Sequence, residues 1–193
     1  MKNKQAELIK QLSDKELYLN LVFTQIILLI VSLVLSIILF EDISSFFDLF
    51  QFKDWRILTI GGSAGAAVIF LDILMMKLLP ESYHDDGGVN ERIFKNLPVP
   101  MIFIVALTVG LSEEILFRGI IQTHLGLFWT SLIFALIHYR YLFNWFLFVN
   151  ITVLSFFIGI LFEVTDNLLV TIFTHFLIDF ILGIIVKNKE GSH

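Results

Sequence analysis

Residues 99–121 read VPMIFIVALTVGLSEEILFRGII, an apolar run that is long enough to cross a bilayer yet contains two acids and a base. The ionisable residues are Glu113, Glu114 and Arg118. Such groups cost at least a few kcal/mol each at membrane depth, so they usually face a protein interior or a water-filled cavity and mark function. The stretch therefore predicts a transmembrane helix with a polar site on one face, completed by partners from other helices.

Composition indicates that the whole chain is a membrane protein. Its 193 residues are 57% hydrophobic and 16% charged, whereas soluble domains are about 45–50% apolar and about 25% charged. The chain has no cysteine, which excludes a disulfide framework and a thiolate metal site. Its net charge of −5 is spread out, and no run of Lys or Arg is long enough to suggest nucleic acid. We therefore expect a lipid bilayer, and no nucleic acid, as partner.

Six segments are long and apolar enough, or nearly so, to span the membrane as helices: 17–40, 57–79, 99–121, 125–139, 143–162 and 168–186. None alternates as a barrel strand would, and an open strand edge cannot lie in lipid. The predicted fold class is all-α, a polytopic membrane helical bundle of about six transmembrane helices. The fourth segment is short for a full span.

The distribution of Lys and Arg predicts the orientation, because these residues concentrate in cytoplasmic connections. With the N-terminus inside, ten of the thirteen lie on the cytoplasmic side, and Lys53, Arg56 and Arg118 lie outside. An even number of spans returns the chain to its starting side, so both termini should be cytoplasmic. The first apolar segment lacks a cleavage site and is too long for a signal peptide, so we expect it to be retained as a span.

Spacing within the third segment predicts different tasks for its two acids. Glu114 and Arg118 are four residues apart in the favourable acid-first order, so they can form an ion pair on one helix face. Glu113 is rotated about 100° away from Glu114. It is left free to meet groups from other helices, which suits a general base.

Two further segments carry polar side chains that are candidates for those groups. Phe134 and His138 lie one helical turn apart, and so do His175 and Asp179, so each pair shares a face. Taken singly, His138 reads as an interfacial residue and the His175–Asp179 pair as a packing device. Taken together with Glu113, they predict that the third, fourth and sixth segments converge on one pocket.

The order Glu-Glu-x-x-x-Arg, Phe-x-x-x-His and His-x-x-x-Asp resembles the CPBP family of intramembrane proteases, the CAAX-processing and bacteriocin-processing enzymes also called the Abi family. The resemblance covers roughly residues 99–185. It leaves the first two spans unassigned. We expect a bacterial cell-membrane protein with a two-span anchor region and cytoplasmic loop (1–98), a CPBP-like catalytic core of four spans (99–186) and a short tail (187–193). The residue roles that the resemblance implies concern Glu113, Glu114, Arg118, His138, His175 and Asp179.

In these roles Glu113 activates water, Glu114 and Arg118 support it, and the two histidines complete the site. Asp179 stands where Asn is the commoner residue in the family, and an ionised Asp cannot donate a hydrogen bond to an oxyanion. The implied reaction is hydrolysis of a peptide bond in a membrane-associated or lipidated peptide or protein.

Two versions of this mechanism stay open. In one, Glu113, His138 and His175 hold a divalent metal such as Zn²⁺ that acidifies its bound water. In the other, Glu113 acts without a metal while the histidines orient water and oxyanion. We favour the metal-free version, and no other cofactor is expected.

Other classes of protein fit parts of the sequence. A non-catalytic immunity or binding protein of the same family needs no general base, and a proton-coupled carrier would use Glu113, Asp72 and Asp179 as a relay. Residues 61–65 match G-x-S-x-G as a string, which would suit a serine enzyme only at a strand-to-helix turn. Within a spanning helix, Gly61 and Gly65 instead predict a face that another helix approaches closely.

Overall fold

A computed structural model describes residues 11–84 and 86–188, and every regular element in this part of the chain is helical, as predicted. We number the elements α1 (Asp14–Leu39), α2 (Ile43–Phe47), α3 (Ile57–Leu78), α4 (Glu81–His84), α5 (Val89–Phe94), α6 (Val99–Glu114), α7 (Thr123–Ile137), α8 (Trp145–Thr165) and α9 (Leu168–Asn188). A π-helical segment, Ile115–Gln122, joins α6 to α7, and a 3₁₀-helix, Tyr139–Phe143, precedes α8. The first ten residues and most of the predicted tail lie outside the described residues.

Five helical stretches are long and apolar enough to cross a membrane, one fewer than the predicted six, because the third and fourth predicted spans form one stretch, Val99–Ile137. That stretch is not straight. Gly126 adopts φ 78° and ψ 170°, a conformation that glycine reaches at little cost. The rings of Phe117 and Phe134 lie 4.9 Å apart, whereas seventeen residues of straight helix would separate them by about 25 Å. The chain therefore reverses at Gly126, and the rest of α7 packs back along the π-helical segment.

Capping residues explain where several helices begin. Ser13 and Glu16 form a capping box at the start of α1, satisfying backbone N–H groups that have no partner inside the helix. Pro98 precedes α6 and Pro100 lies in its first turn, where the missing N–H costs little. The side chain of Asn144 accepts hydrogen bonds from the first turn of α8.

Helix α9 lies against both α3 and α6 through glycines. A Cβ atom on Gly61 would lie 3.0 Å from the Val170 carbonyl oxygen, and one on Gly65 would lie 3.3 Å from Leu177. The predicted small-residue face on α3 is therefore present, and it packs on α9. Gly110 of α6 approaches the α9 backbone in the same way.

The two ends of the bundle are tied by polar contacts. At one end, Tyr18 donates to the Ile93 carbonyl and Lys187 donates to the Lys95 carbonyl, which brings the start of α1 and the end of α9 together. At the other end, the Asn167 side chain donates to the Gln51 carbonyl. The first span therefore begins on the side of the bundle where the last span ends, which agrees with an even number of crossings. The cytoplasmic location of that side stays a prediction, which labelling of introduced cysteines can test.

Candidate active site

Glu114 is the anchor of the candidate site. Its side chain is fully buried, and its Oε1 atom accepts hydrogen bonds from Arg118 Nη1 at 3.1 Å and from His175 Nδ1 at 2.8 Å. The Glu114–Arg118 pair is present as its spacing predicted. The bond from His175 adds α9 to the arrangement, so a single carboxylate joins α6, the π-helical segment and α9.

Arg118 links the same cluster to two more helices. Its Nη2 atom donates to the carbonyl oxygen and to Oγ of Ser155 on α8, at 3.1 and 3.2 Å. Its guanidinium carbon lies 4.7 Å from the ring centre of Phe134 on α7, a cation–π contact. Arg118 and Glu114 therefore form a rigid support that is tied to three neighbouring helices, although Arg118 Nε is buried without a hydrogen-bond partner among the described residues.

His175 is held between two carboxylates. Since a carboxylate oxygen can only accept, Nδ1 carries the proton in the bond to Glu114. The other ring nitrogen, Nε2, lies 3.5 Å from Oδ2 of Asp179 one turn later on α9. The pair therefore shares a face, as its spacing predicted, and Glu114 sets the direction in which Nε2 points.

His138 ends α7 beside the pocket. Its Nδ1 lies 2.8 Å from the Phe134 carbonyl oxygen, which accepts the hydrogen bond and so assigns a proton to Nδ1. Nε2 is the nitrogen left to act on a ligand. The imidazole also stacks on the Tyr141 ring, with centroids 6.0 Å apart.

If the fourth predicted span followed a connecting loop, His138 would lie deeper in the bundle than Glu113. The structure differs from this expectation. Phe134 is level with Phe117, as their ring contact shows. His138 follows Phe134 by one turn, and Glu113 precedes Phe117 by one turn on an antiparallel segment. The two residues are therefore at about the same level, because the reversal occurs at Gly126 rather than in a connecting loop.

Glu113 lies within electrostatic range of polar groups on other helices. Its carboxyl interacts electrostatically with His138, His175 and Asp179, which lie on two other helices. Its side chain is partly exposed, and no hydrogen bond within residues 11–84 and 86–188 engages it. Of the two neighbouring acids, Glu114 is locked in place and Glu113 is available for chemistry.

One polar contact to the site helix comes from α1, which we expected to serve only as an anchor. Gln25 is buried, and its Oε1 atom accepts a 2.6 Å hydrogen bond from Ser112 Oγ, next to Glu113. A buried amide in a largely apolar span is costly without a partner. Gln25 was thus visible in the sequence as a candidate contact, although its partner was not.

The other residues considered from sequence lie apart from this cluster. Asp72 on α3 lies near Asn150 on α8. The Ser63 hydroxyl donates to the Ile60 carbonyl of its own helix. Among the described residues it makes no hydrogen bond to a histidine, which a serine mechanism would require. His124 contacts the carbonyl oxygens of Ile120 and Leu39.

The proposed metal ligands do not fit an ion as they are arranged. Within the part of the chain that is described, no three His, Asp or Glu side chains converge in a metal-binding group. Both nitrogens of His175 face carboxylates, at 2.8 Å from Glu114 and 3.5 Å from Asp179. We therefore derive no step through a metal held by Glu113 and the two histidines.

Comparison with known proteins places this helical core in a family. Residues 95–181 match the family model described as type II CAAX prenyl endopeptidase Rce1-like. The chain is 38% identical over 167 residues to the uncharacterized protein YpbD of Bacillus subtilis (strain 168), covering 86% of this chain and 88% of that protein. No solved structure matches it significantly. The chain therefore belongs to the CPBP family of intramembrane proteases, with an Rce1-like core.

Proposed function

We propose that this protein is an intramembrane endopeptidase that hydrolyses a peptide bond of a membrane-associated or lipidated substrate, with Glu113 as general base. The observation that carries the proposal is the contrast between two adjacent carboxylates. Glu114 is fixed by Arg118 and His175, whereas Glu113 is partly exposed and interacts with His138, His175 and Asp179. A base needs this combination of a mobile proton acceptor and a rigid support.

In the proposed reaction, Glu113 takes a proton from water while the water oxygen attacks the scissile carbonyl carbon. The protonated Glu113 then delivers that proton to the leaving amine nitrogen as the carbon–nitrogen bond breaks, so the carboxylate is regenerated. The Nε2 atom of His138 can accept a hydrogen bond from the attacking water. Either imidazole can donate from Nε2 to the oxyanion only when it carries a second proton, because its first proton is on Nδ1. One such donor contributes about 2.7–4 kcal/mol in a soluble protease.

Glu114, Arg118 and Asp179 act through His175 in this scheme. Glu114 accepts from Nδ1 and so keeps the imidazole in one orientation, while Arg118 holds Glu114. Asp179 lies beside Nε2, where its carboxylate can accept a proton or a hydrogen bond but cannot donate one when ionised. We therefore assign Asp179 to orientation of His175 rather than to the oxyanion.

The test compares Glu113→Gln with wild type in the membrane proteome of the native host and with a fluorogenic lipidated peptide in nanodiscs. We expect uncut precursors to accumulate and the cleavage rate to fall about 10²–10⁴-fold, the usual contribution of a positioned base. Asp72→Asn is the matched control, since it also converts an intramembrane carboxyl to an amide but lies apart from the cluster. It should cleave at the wild-type rate.

A folded Glu113→Gln protein that cleaves as fast as wild type would remove Glu113 from the role of base. If Glu113→Gln keeps the cellular phenotype of the wild type and no precursor differs between the two proteomes, the result would instead favour the non-catalytic binding or immunity protein.

A further inference from the structure

Arg140 is a cation beside the candidate site that the proposed mechanism does not use. It follows His138 by two residues in the 3₁₀-helix, and its guanidinium carbon lies 4.7 Å from the ring centre of Tyr141. That ring stacks on the His138 imidazole with centroids 6.0 Å apart and planes inclined by 18°. The distance from the Arg140 guanidinium carbon to the centre of the His138 ring is therefore at most the sum of these two distances.

The contacts of Arg140 leave part of its guanidinium available. Its Nη2 atom lies 2.8 Å from the Tyr141 hydroxyl, 3.4 Å from Asn90 Oδ1 and 3.5 Å from Asp86 Oδ2. All of its polar contacts within the described residues use Nη2, which leaves the Nη1 donors for a further acceptor. The side chain is 21% exposed, so a ligand can reach it.

Arg140 also lies within electrostatic range of Glu113. Asp86 offsets part of its charge, and the Tyr141 ring holds the guanidinium plane in place. An arginine held in this way, with Nη1 donors that no described residue engages, is suited to bind a planar anion such as a carboxylate.

The chemistry of the proposed substrate supplies such an anion. A CAAX box lies at the carboxyl terminus of the protein that carries it. When the scissile bond lies beside such a box, the free C-terminal carboxylate of the substrate is therefore only a few residues away from that bond. Two or three residues of extended chain span about 7–10 Å, which is within the upper limit that the two ring distances set for the separation between His138 and the Arg140 guanidinium.

Resting on the proposed function, we propose that Arg140 binds the C-terminal carboxylate of the substrate and thereby selects a peptide bond two or three residues from the end of the chain. Arg140 is a specificity-determining residue in this proposal, and Tyr141 and Asp86 position it. The same contact would make the enzyme discriminate against substrates whose chain continues or whose terminus is blocked.

The experiment measures binding, so it does not require turnover. Two fluorescent lipidated peptides, identical except for a C-terminal acid or amide, are titrated onto Glu113→Gln protein in nanodiscs. We expect the acid to bind about tenfold or more tightly, as for other charge-assisted contacts. Adding Arg140→Gln should abolish the advantage of the acid, and Arg140→Lys should keep part of it. Adding Arg92→Gln instead should leave the advantage of the acid intact, because this change removes an arginine of α5 that pairs with Asp14 of α1.

Equal binding of acid and amide, binding of neither, or an Arg140→Gln change that weakens both peptides equally would each overturn the proposal. If Arg92→Gln also lost the preference for the acid, that preference would come from net charge, and the proposal would again be overturned. If wild-type protein prefers the acid but cleaves neither peptide, the proposed protease function fails while the carboxylate site stands.

Discussion

Removing the charge of Arg118 should destabilise the protein more than any comparable change at its surface. In Arg118→Met, the carboxylate of Glu114 keeps its bond from His175 but loses its buried cation at 3.1 Å. The two hydrogen bonds to Ser155 and the stacking on Phe134 are also lost. Breaking a buried pair by removing one partner costs about 3–5 kcal/mol. At about 2–4 °C per kcal/mol for a chain of this size, Tm should fall by about 6–20 °C.

The assay is thermal unfolding of purified protein in one detergent, with helix content and intrinsic fluorescence as separate probes. Arg56→Met is the matched control, because Arg56 pairs with Asp54 at 2.9 Å but is partly exposed in the loop before α3. Partly exposed pairs contribute less than buried ones, so this variant should lower Tm by clearly less than Arg118→Met. Combining Glu114→Gln with Arg118→Met should cost less than the sum of the single changes, because no buried charge is then orphaned.

The reasoning would be refuted if Arg118→Met and Arg56→Met lowered Tm equally, or if the single changes in the buried pair were additive. Either outcome would mean that Glu114 is solvated or re-paired in the bundle, and that it does not form the rigid support assigned to it.

Two further predictions concern helix packing and the loop before α3. Gly61→Ala should destabilise the bundle by about 1–3 kcal/mol, because the added Cβ would lie 3.0 Å from the backbone oxygen of Val170, while Gly62→Ala, with its nearest atom at 3.8 Å, should leave Tm unchanged. Hydrogen bonds, chiefly from Arg56, lower the pKa of Asp54 to about 2. The stabilisation from this carboxylate is therefore complete above its unfolded pKa of about 3.9 and is lost as pH falls towards 2. The Tm difference between wild type and Asp54→Asn should accordingly be present at pH 6 and vanish near pH 2, and a constant difference would contradict the assignment.

Much of the fold and of the candidate site was predictable because the relevant signals are local. Apolar runs of about 20 residues identify spanning helices wherever they occur. The i, i+4 spacing places Glu114 beside Arg118 and His175 beside Asp179 on any helix. Gly61 and Gly65, four residues apart, likewise indicated a face that a second helix could approach.

Other features depend on contacts between segments that are distant in sequence. The spacing of the third segment suggested that the histidines would meet Glu113, yet Glu114 accepts the bond from His175 and Glu113 stays open. Gln25 is a polar residue in a largely apolar span that we treated only as an anchor, and nothing near it in the chain identifies Ser112 as its partner.

The sequence by itself determined that this protein is a helical membrane bundle and which side chains share a helix face, because both follow from a repeat of 3.6 residues and from the cost of charge in lipid. Only the tertiary structure decided where the chain reverses, at Gly126, and hence that His138 is level with Glu113. A single glycine can adopt many backbone conformations, and packing against neighbouring helices selects one of them.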